Sequence, residues 1–127
     1  MAGTVTTVHQ KLGRIRKIIL TCTADASDGS FPDTTLPIIE GKILALRTNP
    51  GSTAPQDNYD ITVEDGDAID ILQGVGANRD TSNSEGAAVV YATSVHPPVT
   101  ITDTLTFKIA NNNVNSAIVV ATILYEL

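Results

Sequence analysis

Residues 59–80, YDITVEDGDAIDILQGVGANRD, decide the fold. At the start of this stretch Tyr59, Ile61 and Val63 alternate with Asp60, Thr62 and Glu64, the two-residue period of a strand with one apolar and one wet face. Asp65-Gly66 is a turn signal, and residues 68–72 continue as either a second short strand or a single helical turn. Gly74 and Gly76 match the opening of a dinucleotide-binding fingerprint. However, its third glycine position holds Arg79, and polar loop residues follow where a helix is required. The two glycines therefore read as a bend that lets the chain leave a sheet.

Six of the fourteen acids lie between residues 57 and 70: Asp57, Asp60, Glu64, Asp65, Asp67 and Asp70. Like charges that close need cations, basic side chains or water to screen them. A Ca²⁺ loop starting at Asp65 would place Asp70 where glycine is wanted and Ile69 at a ligand position, so the stretch does not fit that template. Asp25, Asp28 and Asp33 in the preceding turn-rich segment, residues 24–37, fail it as well, lacking the ligand spacing and the closing Glu. No metal ligand set and no cofactor is expected.

Outward from the anchor the same period recurs. Residues 4–8 (TVTTV) read as an edge strand or N-terminal arm, and residues 15–23 (IRKIILTCT) as a central strand, apolar on both faces in its middle. Residues 38–48 are apolar on both parities, with Gly41 marking a bulge or a break. Residues 87–94 read as a buried strand stopped by His96-Pro97-Pro98. Residues 99–110 alternate cleanly except at Asp103. Asn111, Asn112 and Asn113 supply a hairpin turn, and residues 116–127 return as a strand apolar on both faces, which belongs in mid-sheet or at a subunit contact. About eight strands at short spacing, with no long 3.6-residue period, predict an antiparallel β-sandwich of jelly-roll or Greek-key type over residues 15–127, with residues 1–14 as an added strand or arm.

Composition narrows the function. At 127 residues the chain fits one domain, and its single cysteine, Cys22, cannot close an intrachain disulfide. Mid-strand, Cys22 reads as a buried inert thiol. No signal-peptide pattern or apolar run of membrane-spanning length is seen, so a soluble protein made in the cytoplasm is expected, with no membrane partner. A net charge of −6 argues against a nucleic-acid partner, and the absence of Trp removes the usual platform for stacking sugars or bases. His9 and His96 have no neighbour at metal-ligand spacing. No nucleophile elbow, zinc-binding helix or phosphate loop is present, so an enzyme is not expected and no catalytic residue is named.

Four of the eight basic residues, Lys11, Arg14, Arg16 and Lys17, crowd into seven positions of this acidic chain. Such a strip reads either as a solvated sheet edge guarded by charge or as a docking strip for an acidic partner or a neighbouring copy.

The order PQDNYDITVEDGDAIDILQGVGANRD resembles a family of small virion structural proteins of tailed bacteriophages. The matching positions are Pro55, Asp57, Tyr59, Asp60, Asp65, Asp70, Leu72, Gly74, Gly76, Asn78 and Arg79. The resemblance implies a β-sandwich on the capsid surface or in the head-tail region. The function expected from it is that of a decoration (cement) protein that binds the outside of the head as a homotrimer and clamps major capsid protein subunits. The alternatives are another virion part, such as a head fibre, neck or tail protein, and a calcium-dependent carbohydrate- or cell-surface-binding sandwich.

Overall fold

The computed structural model describes residues 1–36, 41–89, 99–101 and 104–127. Among them run nine strands and no helix: β1 (Thr4–Leu12), β2 (Ile15–Thr23), β3 (Thr34–Leu36), β4 (Gly41–Pro50), β5 (Asp60–Glu64), β6 (Glu85–Ala88), β7 (Val99–Ile101), β8 (Leu105–Ala110) and β9 (Ile118–Glu126). They form two antiparallel sheets. One has the order β1-β2-β9-β4-β6, with β7 also pairing β4, and the other has the order β3-β8-β5.

The pairings are nested. Strand β2 takes β9, β3 takes β8, β4 takes β7, and β5 takes the chain at residues 70–79. Successive strands β2 to β5 alternate between the sheets. This is one long antiparallel hairpin folded over on itself, the jelly-roll arrangement of the two expected. It places β9 between β2 and β4, so the strand apolar on both faces is central in its sheet. Its inner positions Val119, Ala121, Ile123 and Tyr125 enter the core.

Aliphatic residues two apart fill the space between the sheets. Ile18, Leu20 and Cys22 come from β2, Ile61 and Val63 from β5, and Leu105, Phe107 and Ile109 from β8. On β4 the buried pair Ile43 and Leu46 is three apart, because the register with β9 shifts between Ile43 and Ala45. One extra residue there restores the inward parity. Each fully buried aliphatic side chain contributes about 1.5–3 kcal/mol.

Three expectations are corrected. Residues 24–37 are not all loop, since Thr34 to Leu36 pair with β8 and Leu36 is fully buried. A three-residue strand is too short to show a period. The single strand expected over residues 99–110 is two strands in different sheets, β7 ending at Ile101 and β8 beginning at Leu105, while Asp103 lies outside the described residues. Asn111 to Asn113 turn the chain, with Asn111 at φ +61°, but between sheets and not within a hairpin, because β8 and β9 do not pair. Of the strand expected at residues 87–94, Ala87 and Ala88 lie in β6; residues 90–94, like His96, fall outside the described residues.

Residues 65–79 are neither strand nor helical turn. Bonds from Ala68 N–H to Asp65 C=O, Gln73 to Asp70, Val75 to Leu72 and Ala77 to Gly74 close a run of turns. Between them, Ile71 N–H reaches Val63 C=O and Gly76 C=O accepts from Ile61 N–H, both at 2.8 Å. The chain thus runs alongside β5, held by isolated bridges at Tyr59–Arg79 and Glu64–Asp70, with the residues between them thrown out as turns. Gly76 is required there, since a Cβ would lie 2.0 Å from the Ile61 carbonyl oxygen.

Candidate functional site

The acid-rich stretch is not a single cluster. Strand β5 separates Asp57 and Asp60 from Asp65, Asp67 and Asp70, and five extended residues span about 17 Å. Most of these carboxylates serve the backbone. Asp70 Oδ1 accepts from the N–H groups of Val63 (3.1 Å) and Leu72 (3.0 Å), and its Oδ2 accepts from Gly74 N–H (3.1 Å). Asp65 Oδ1 accepts from Asp67 and Ile69, Asp60 from Asn78 N–H and the Asn111 amide, and Asp57 from Thr81. Asp25, Asp28 and Asp80 hold their own turns in the same way. The Ser30 hydroxyl and N–H hold the Asp28 carboxyl below its usual range, and the Ser82 N–H and Asn83 amide do the same for Asp80. Irregular loops leave N–H groups without ladder partners, and short carboxylates satisfy them. Among the described residues no three ligating side chains converge.

Lys11, Arg14, Arg16 and Lys17 come together on the β1–β2 hairpin. Its turn is Gly13-Arg14, with Gly13 at φ +62° and Arg14 outside the left-handed region, the two-residue turn that wants glycine first. Strand β1 runs on to Leu12, four residues beyond the expected strand, and pairs with β2 from Thr4↔Thr23 to Leu12↔Ile15. The sequence carried the signal in Leu12-Gly13-Arg14-Ile15, but the density of charge there reads first as a strip and hides the turn.

The hairpin divides the strip between two faces. Lys11 and Arg16 are direct cross-strand partners and share one face, while Lys17, opposite Gln10, points to the other. The Arg14 guanidinium donates to Leu127 C=O at 2.7 Å, and the Leu127 N–H returns a bond to Arg14 C=O at 2.9 Å. Arg16 Nε bends back to Gly13 C=O at 3.0 Å. None of the four pairs with an Asp or Glu side chain among the described residues. The ion pairs described are Arg79–Glu85, Lys108–Asp33 and Lys108–Glu64.

Strand β1 is exposed at eight of its nine positions, with Val5 alone half-buried against the core. The second sheet ends at β3, and among the described residues no strand lies over β1 from within. On the outer face Val8, Leu12 and Ile15 are 55%, 66% and 37% exposed. The outer face of the hairpin thus carries three exposed aliphatic side chains with Lys17, and the inner face carries Lys11 and Arg16.

The remaining candidates are placed as follows. Cys22 is fully buried, and burial pushes its thiol up to about 12. His9 is exposed opposite Ile18 on β1. Thr48 and Tyr59 lie close in the core. Burial raises the Tyr59 phenol above its ordinary value, the Thr48 hydroxyl partly offsets this, and neither hydroxyl reaches a well-aligned hydrogen-bond partner. A groove of about 400 Å³ bounded by Arg47, Asn49, Ser84, Glu85 and Thr122 contains one carboxylate, Glu85, already engaged by Arg79 and the Asp80 N–H. Comparison with protein-family models, curated proteins and solved structures finds no match to this chain.

Proposed function

We propose that this protein is a binding component of a larger assembly, a decoration (cement) protein on the outer surface of a tailed-phage head that uses the β1–β2 hairpin to grip neighbouring major capsid protein subunits. One observation carries the reading: Lys11 and Arg16 face each other directly across the hairpin, with no Asp or Glu side chain among the described residues paired to either of them. Like charges opposite one another on two strands cost stability in the free protein. An acidic surface docked against Lys11 and Arg16 removes that cost, while the exposed aliphatic residues lie on the opposite face of the hairpin with Lys17.

Further support comes from the resemblance in residues 55–79. The calcium-dependent carbohydrate reading has less support, because the carboxylates it would use are committed to backbone N–H groups. Strand β9 is paired on both edges, so a homotrimer contact through it would use its outer face and not a free edge. Avidity in any homo-oligomer still follows from several hairpins docking on one shell.

The test is co-sedimentation with expanded heads lacking this protein, at low and high salt. Wild type should bind and weaken as salt rises, and the triple variant Lys11→Glu, Arg16→Glu, Lys17→Glu should lose binding by at least tenfold. Wild type failing to bind, or the triple variant binding equally well, would refute the reading.

A further inference from the structure

The free edge of β1 has a definite chemistry. A two-residue turn makes Leu12 and Ile15 a hydrogen-bonded pair. Even-numbered residues of β1 therefore direct their N–H and C=O groups at β2, and Val5, Thr7, His9 and Lys11 direct theirs at the open edge. That edge has no strand partner among the described residues, no proline or glycine, and Lys11 as its single permanent charge. An exposed edge of this length is a template for another extended strand, and folded proteins ordinarily protect such an edge.

We propose that the occupant is β1 of a second copy, paired antiparallel about a two-fold axis at Val8. The residues fix this register. Bonds across the edge require odd-numbered residues opposite odd-numbered residues, and of the registers that allow it, the one centred on Val8 pairs all nine positions. Thr7 then bonds His9 of the other copy, Val5 bonds Lys11, and Thr6 faces Gln10. Leu12 faces Thr4, and the two Val8 side chains meet on the axis. No like charges oppose each other, and the exposed Val8 and Leu12 gain cover.

The two basic turns lie about 30–35 Å apart along the strands, well beyond a Debye length, so they do not oppose association. The contact is isologous and closes, joining two six-stranded sheets edge to edge. It leaves both basic strips outward, so one dimer carries two docking strips. This dimer does not depend on the capsid reading.

Sedimentation velocity over a concentration series, together with cysteine cross-linking, tests it. Wild type should pass from monomer to dimer. Thr7→Pro removes an N–H from the open edge without touching the β2 ladder, and should weaken the dimer at least tenfold with an unchanged circular dichroism spectrum. Val8→Lys sets two lysines on the axis and should do the same, which keeps the test informative if the proline variant misfolds. Val8→Cys should form an intermolecular disulfide on mild oxidation, since non-bonded partners lie about 4.5 Å apart at Cα, within bridging range; Gln10→Cys should not. A wild-type monomer at every concentration, a wild-type trimer, or dimers indifferent to both Thr7→Pro and Val8→Lys would overturn the proposal.

Discussion

Strands β1 and β9 are each nine residues long and both pair with β2 along their whole length, yet they occupy opposite extremes of the same sheet. Strand β9 is paired on both edges and, after an exposed Ile118, alternates buried and half-buried positions. Strand β1 is paired on one edge and exposed at eight positions. The composition of the strands explains the difference. Val119, Ala121, Ile123 and Tyr125 give β9 an apolar inner face to insert between the sheets. The corresponding face of β1 is Val5, Thr7, His9 and Lys11, in which only Val5 suits a core. Backbone pairing places a strand in a sheet, and side chains decide whether it holds the fold together or faces outward.

The contrast can be broken most forcefully at Ile123, which is fully buried. Ile123→Ala should cost about 3–4 kcal/mol in urea unfolding, by lost transfer energy and the cavity left behind; a cost near zero would put the core elsewhere.

Next in size is a pH effect in the row Val5, Cys22, Val119 that links the two strands through β2. Burial raises the Cys22 thiol from 9.0 to about 12. A raised pKa means the folded state holds its proton more tightly. Its contribution is intact below about pH 9 and is lost as the pH climbs toward 12. Stability should fall across that window, and Cys22→Ala should flatten much of the fall. The raised Tyr59 phenol acts in the same direction, so a residual slope should persist until Tyr59 is also replaced.

Smaller still is Tyr59→Phe at neutral pH, which removes a buried hydroxyl without a well-aligned partner and should be neutral or stabilising by about 1 kcal/mol. At the bottom lies Val8→Ala on β1, expected to change the stability of the dilute monomer by less than about 0.5 kcal/mol. Parity between Val8→Ala and Ile123→Ala would erase the distinction between the strands.

How legible this was in the sequence depends on the range of each signal. Two-residue alternation revealed β5 and β8, because a buried face imposes it locally, and short apolar runs on both parities revealed β2 and β9. The division of residues 99–110 between sheets and the crossover at Asn111 to Asn113 are set by which strand lies across the core, a long-range fact with no local pattern. The acids of residues 57–70 looked like one cluster because their spacing along the chain is short. Their separation by β5, and the use of Asp70 to hold Val63, Leu72 and Gly74, depend on backbone N–H groups left over by turns that no periodicity forecasts. The basic strip was legible as residues and not as geometry, since its division over two faces follows from the Gly13-Arg14 turn.

The account rests on β1 being an outward-facing strand with one occupied and one open edge. Amide hydrogen exchange on dilute and concentrated protein measures this directly. In dilute solution the amides of Thr6, Val8 and Gln10 should be protected and those of Val5, Thr7, His9 and Lys11 should exchange rapidly, while the core of β9 exchanges only with global unfolding. At high concentration the odd-numbered set should become protected. Uniform protection of β1 at every concentration, or an odd-numbered set that stays fast throughout, would contradict it.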